Sequence, residues 1–273
     1  MLSKKNLSLM ICTFATYSAC YAQTTNSNKN KSVFIEYLTT VELTNKIKEG
    51  FSTVLIYSGG TEETGPHVVL GKHNFRVQSY AQRVAEGLGN ALVAPILPFA
   101  PNSMAIQKFP GTITLDSLTF SNVNEQVAVS MIASGFKHII LMSDHFNSQQ
   151  PLAELAKKLS KIYHEQNIDV YYASDGYTKA RKEIEASIEK QNIVPGGHGG
   201  LWDVSETMAI SKNLVRPNLF AVGDTTLKGN GPLDERGVSG DPRKANVKQG
   251  KQFADLRVSL FITEIRNHLL SLK

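Results

Sequence analysis

The chain has 273 residues, 41% hydrophobic and 19% charged: enough apolar material for one large core, and too little charge for a mainly disordered chain. Its net charge of +5 comes without a basic run or an arginine-rich helix, so nucleic acid is not an expected partner. The first element is "MLSKKNLSLMICTFATYSACYAQ", with Lys4 and Lys5, an apolar run over residues 7–20, and then small residues. It reads as a secretory signal over residues 1–22, cut after Ala22. The run is shorter than the roughly 20 residues of a membrane-spanning helix, so no span is expected in the mature form. The alternative is a lipoprotein signal with a lipid on Cys20, although Tyr17 stands where a leucine is usual. Residues 23–32, containing "TTNSNKNKS", read as a solvated linker, and residues 33–273 as one domain placed in the periplasm or secreted. Both cysteines, Cys12 and Cys20, leave with the cut leader, so the mature domain has no catalytic cysteine, disulfide or cysteine-held zinc.

Beyond the linker, apolar runs alternate with amphipathic stretches. "TVLIYSG" (53–59), "ALVAPILP" (91–98), "HIILMSD" (138–144) and "VYYASD" (170–175) are near-continuous apolar runs, as expected of parallel strands buried on both faces. Helix patterns lie between them. Residues 74–89 align Val77, Ala81 and Val84; residues 118–136 align Val123, Val127 and Met131; residues 151–166 follow the third strand. The last pattern, 253–270, aligns Phe253, Leu256, Leu260, Ile265 and Leu269. Residues 223–250, rich in Gly, Pro and Asp, read as a long ordered loop or flap. Strand–helix alternation predicts an α/β layered domain with a mainly parallel sheet, whose ligands sit beyond the carboxyl ends of the strands.

One stretch at such a strand end is "GTEETGPHVVLGKH" (60–73). It is not a phosphate loop: Gly71-Lys72 is followed by His73 instead of Ser or Thr, and the first glycine position is Pro66. No GxGxxG opens a helix, so nucleotide cofactors drop out. A metal site fits better. Glu62 lies just past the first strand, His73 at the mouth of the next helix, and His145 directly after the third strand. Two imidazoles and a carboxylate with a fourth position left for water are a catalytic zinc arrangement.

The chain resembles the creatininase (creatinine amidohydrolase) family from about residue 50 to its C-terminus. The resemblance rests on "GGTEETGPHVVLGKH", "FPGTITL" (109–115), "SGFKHIILMSDHFNS" (134–148), "GGHGGLWDVS" (196–205) and "GVSGDPRKANVKQG" (237–250), in that order. It implies a three-layer α/β/α sandwich, an oligomeric assembly, and metal-dependent hydrolysis of C–N bonds in small cyclic or linear amides. Members of the creatininase type hold two metals bridged by an aspartate. On this chain the first metal's glutamate and histidine fall on Glu62 and His145, and the bridging aspartate falls on His73. The second metal's histidine and glutamate fall on Thr64 and Asn147. An imidazole nitrogen has one lone pair and cannot bridge as a carboxylate does, and Thr and Asn are poor ligands beside real imidazoles. The altered set implies one divalent metal on Glu62, His73 and His145: Zn2+, with Fe2+ or Mn2+ as alternatives.

The fourth block aligns His198 and Asp203 with a histidine and a glutamate of the family, which implies a proton-transfer histidine oriented by a carboxylate. Glu206 is a rival for the role of Asp203. Thr64 and Asn147 are expected to hydrogen-bond the substrate, Trp202 to wall its pocket, and Asp144 to brace His145. His67 is expected to stabilise a turn; His138, His164 and His268 are structural or solvated. The expected function is hydrolysis of a small amide or lactam with a single metal. The alternatives are a non-catalytic small-ligand binder, or a lyase or isomerase acting on a sugar-like carbonyl compound.

The leader reading predicts that protein recovered from a secreting bacterial host begins at Gln23 by intact mass and N-terminal sequencing. A chain retaining Met1 contradicts it, and a diacylglyceryl mass on Cys20 selects the anchored form.

Overall fold

The continuous apolar runs become the strands of one sheet. A computed structural model describes residues 32–226 and 233–272. The leader at 1–22 and all of the linker before Ser32 lie outside the described residues. In chain order, α1 (Thr40–Lys48) precedes β1 (Thr53–Ser58), and α2 (Lys72–Leu88) precedes β2 (Ala91–Val93). The short α3 (Met104–Gln107) and α4 (Ser117–Ala133) lead to β3 (His138–Ser143), and α5 (Gln149–Tyr163) leads to β4 (Asp169–Tyr172). Then come α6 (Asp175–Glu189), α7 (Leu201–Ile210) and α8 (Val247–Ser271). The strands pair in the order β2-β1-β3-β4, all parallel, with Thr53 opposite both Ala91 and His138.

Side chains alternate across a strand, so each strand feeds two cores. Leu55, Tyr57, Ile140 and Met142 meet Val77, Tyr80 and Val84 of α2 and Val258 and Phe261 of α8. Val54, Ile56, Ile139 and Leu141 meet Phe120 and Ala128 of α4 and Leu152, Leu155 and Leu159 of α5. Helices on both faces of a parallel sheet make the three-layer α/β/α sandwich. A smaller apolar cluster joins Ala180, Ile184 and Ile188 of α6 to Trp202 of α7 and Phe253 of α8.

The departures from the sequence reading have local causes. The second strand stops at Val93 rather than residue 98, because Pro95 and Pro98 cannot donate to the ladder. The fourth strand ends at Tyr172, and Asp175 opens α6 instead of closing the strand. On α4 the fully buried side chains are Phe120, Asn124 and Ala128, one position around from the expected Val123, Val127 and Met131, which are half-buried. Residues 201–210, read with the glycine-rich loop before them, are helical. The 223–250 segment is irregular where described, with tight turns at 234–237 and at Pro242–Lys244, until α8 starts at Val247.

α7 and α8 approach closely at Gly250, where an added Cβ would lie 1.8 Å from the Ser205 carbonyl oxygen. Gly250→Ala therefore forces the two helices apart and lowers stability by about 1–3 kcal/mol, measured as a fall in the urea midpoint. An unchanged midpoint would show that the helices part without penalty.

Candidate metal centre and its cavity

β1 and β3 are adjacent, and the segments leaving their carboxyl ends converge. The loop after β1 is pinned by Asn74, whose side-chain oxygen accepts from Gly60 N at 2.9 Å, and by Thr112, whose hydroxyl accepts from Glu63 N at 3.1 Å. Gly60 lets this loop run close to the imidazoles: a Cβ there would be 3.3 Å from the His145 ring. The result brings Glu62, His73 and His145, all buried, together with one ligand atom of each within 4.8 Å of the others. Glu62 Oε1 is 2.9 Å from His73 Nε2, and Glu62 Oε2 is 2.7 Å from His145 Nε2.

Hydrogen bonds around these groups define what they can hold. His73 Nδ1 lies 2.8 Å from Asp144 Oδ2. Each ring nitrogen of His73 thus faces a carboxylate oxygen, Nδ1 that of Asp144 and Nε2 that of Glu62; with a cation between Nε2 and Glu62, Nδ1 would carry the ring's proton towards Asp144. Asp144 is ionised: burial opposes its charge, but Arg76, the His73 hydrogen bond and Arg257 hold its carboxyl well below the usual range. His145 Nε2 also faces Asn102 Oδ1 at 3.0 Å, and Asn102 Nδ2 donates to the Ala100 and Ile113 carbonyls, which fixes that amide's orientation. Carboxylate and amide oxygens and two imidazole nitrogens thus converge on one point, and this donor set fits a divalent cation.

Charge supports the same fit. Among the described residues, five carboxylates are buried (Glu62, Glu63, Asp144, Asp203, Glu206) against three permanent cations (Lys72, Arg76, Arg257), a formal charge of −2. Seven of the eight belong to one linked cluster, and Glu63 approaches it only through His198. Arg76 reaches Asp144, Asp203 and Glu206 at 2.7, 2.9 and 3.2 Å. Arg257 reaches Glu206 at 2.6 Å and Asp144 at 3.3 Å. Lys72 lies 2.9 Å from Asp203 and 3.3 Å from Glu62. Burial pushes the Glu62 carboxyl up, yet His145 and Lys72 hold it well below the usual carboxylate range.

A cavity of about 260 Å³ opens on this cluster, a size for a small molecule. His198, Trp202, Asp203 and Asn147 line it together with the three candidate ligands. Thr64, expected to touch substrate, is fully buried and not among the lining residues. Asp203 does not orient His198: Oδ1 accepts from Arg76, and Oδ2 from Lys72 and from Gly199 N, each at 2.9 Å. Glu206 is no substitute, being bound by Arg257 and by the Trp202 indole N–H at 2.7 Å, away from the cavity. Asp144 braces His73 and not its sequence neighbour His145, because successive side chains on an extended chain point to opposite sides. His67, expected to stabilise a turn, has Nε2 2.7 Å from the Gly199 carbonyl and so ties its loop to the one before α7.

Sequence reasoning missed Lys72, Arg76, Arg257, Asn102 and Glu63. The signal for two of them was present: Lys72 and Arg76 are four residues apart on α2, flanking His73.

A family model described as creatinine amidohydrolase (Creatininase) matches residues 36–265. Creatinine amidohydrolase of Pseudomonas putida is 28% identical over 202 residues, spanning 68% of this chain and 75% of that protein. Among solved structures, a mutant creatininase of the Zn–Zn type matches with a TM-score of 0.76 at 20% identity, over 87% of this chain and 98% of that one. A creatininase described with Mn matches with a TM-score of 0.71 at 21% identity, over 87% of this chain and 99% of that one. At these identities the structural likeness speaks for the fold alone.

Asp144→Ala strips the buried Arg76 and Arg257 of a shared partner and costs about 3–5 kcal/mol. Asp255→Ala breaks the exposed Arg83 pair and costs under about 1 kcal/mol. Urea denaturation of both variants checks the contrast, and equal effects would contradict the reading of the buried cluster.

Proposed function

The chain belongs to the creatininase family of metal-dependent amidohydrolases, and we propose that it hydrolyses a C–N bond of a small amide or cyclic amide with one divalent cation per chain. The observation that carries this reading is the convergence of buried Glu62, His73 and His145, one ligand atom of each within 4.8 Å of the others, a set that one divalent cation would satisfy. Two imidazoles and one carboxylate favour Zn2+, with Fe2+ or Mn2+ as the alternatives. A cation bound there supplies a Lewis acid that polarises the scissile carbonyl and makes a nucleophile available at neutral pH.

The chain's own residues do the rest. Lys72 sets a fixed ammonium 3.3 Å from Glu62 Oε1, which opposes a second cation at that carboxylate. Thr64 and Asn147, where the family has its second metal's ligands, add no imidazole and no charge. Asn147 lines the cavity and offers its amide to the substrate. Trp202, its indole N–H committed to Glu206, turns an apolar face to the cavity. His198 lines the same cavity with Nε2 buried and without a hydrogen-bond partner. It moves a proton from the nucleophile's side to the leaving nitrogen, and the scissile C–N bond breaks with that nitrogen protonated. The leader expectation places this reaction in the periplasm, with anchoring through Cys20 as the alternative.

Elemental analysis of the purified mature protein is expected to give about one divalent metal per chain. Chelation is expected to abolish release of product from a panel of small amides and lactams, with re-addition of metal restoring it. His145→Ala is expected to lose both metal and activity; full activity in metal-free His145→Ala protein would overturn the reading.

A further inference from the structure

With Asp203 committed to Lys72, Arg76 and Gly199, His198 has no orienting partner where the sequence led one to expect it. The ring lies between two other carboxylates. Nδ1 is 3.9 Å from Glu62 Oε1, on the side of the candidate metal centre. Nε2 is 3.5 Å from Glu63 Oε2, on the opposite side. His198 Nε2 and Glu63 Oε2 are both buried, and neither has a hydrogen-bond partner. Two orphaned polar atoms facing each other across slightly more than a hydrogen bond are each costly alone and satisfied together. Hydrogen bonds of this kind are often long in ligand-free sites and tighten when substrate binds.

The surroundings hold Glu63 in this position. Its other oxygen, Oε1, accepts from Gly65 N. Gly237, at φ +76°, packs against the carboxylate so closely that a Cβ there would lie 2.1 Å from Oε2. Two residues on, Ser239 N donates to the His198 carbonyl at 2.8 Å. One loop therefore clasps both partners. Glu63 does not line the cavity and touches His198 from behind.

We propose that Glu63 is the positioning residue for His198, accepting its Nε2–H so that Nδ1 presents a bare lone pair to the metal centre. Which imidazole nitrogen works is set by what the other one bonds. Nδ1 takes one proton on the metal side and gives the same proton to the leaving nitrogen, so the ring ends as it began. This assignment rests on the proposed amide hydrolysis for its chemistry, but not for its geometry.

The test is Glu63→Gln, which keeps the shape. Gly65 N–H requires an oxygen at the Oε1 position, so the glutamine must turn its NH2 towards His198 Nε2. The tautomer then reverses, with the proton on Nδ1. Two-bond 15N–1H spectra of histidine-labelled protein with Zn2+ in the site, recorded at alkaline pH, report the tautomer directly. The expected result is Nε2–H in the natural protein and Nδ1–H in Glu63→Gln, with metal content unchanged. On any amide that is turned over, kcat is expected to fall by about 10²- to 10⁴-fold with KM little altered. Nδ1–H in the natural protein, or an unchanged tautomer in a folded Glu63→Gln protein, overturns the proposal. Should the variant fail to fold, the natural protein's spectrum alone decides. Because the tautomer is read without substrate, the role of Glu63 is tested even in a chain that hydrolyses no amide.

Discussion

A carboxylate whose two oxygens both face imidazole nitrogens, shut away from water, must have its charge answered within a few ångströms. Glu62 is in that position, 2.9 Å from His73 and 2.7 Å from His145. Behind it lies a cluster in which acidic groups outnumber the basic side chains. Burying such an excess is costly unless a cation shares the space. Most of the site's geometry follows from meeting that demand. Asp144 braces His73, Asn102 meets His145, and Lys72 and Arg76 answer Asp203.

The fold places these groups by simple means. The parallel register sets the ends of β1 and β3 side by side, so the loops carrying Glu62 and His145 leave from neighbouring points. α2 then delivers Lys72, His73 and Arg76 within its first two turns. Arg257 enters from α8, far along the chain from Asp144, and stacks over Trp202 with its guanidinium carbon 4.9 Å from the ring. Sandwich and site are therefore not separable: the helices that cover one face of the sheet also carry the charges that brace the ligands.

The strands were legible because burial on both faces leaves unbroken apolar runs, although the second ends early at Val93 and the fourth at Tyr172. Glu62, His73 and His145 were legible because ligand-type side chains at two adjacent strand ends have little else to do together. The basic partners of Asp203 were not, since they come from α2, about 130 residues earlier, and no local spacing reports a contact of that range. Buried Lys and Arg are rare enough that sequence alone assigns them to solvent. Arg257 did leave a trace: it stands four residues after Phe253 and four before Phe261, inside an apolar stripe. Glu63 left none, because its role depends on a loop that returns from residues 237–239 to cover it.

One cation seated among Glu62, His73 and His145 is what the rest of the chemistry depends on. Anomalous diffraction at the metal edge from crystals of the mature protein tests its presence most directly. The expected result is a single peak per chain, about 2.0–2.2 Å from an oxygen of Glu62 and from one ring nitrogen of each histidine. Two peaks sharing Glu62, or a lone peak away from these three side chains, would contradict it.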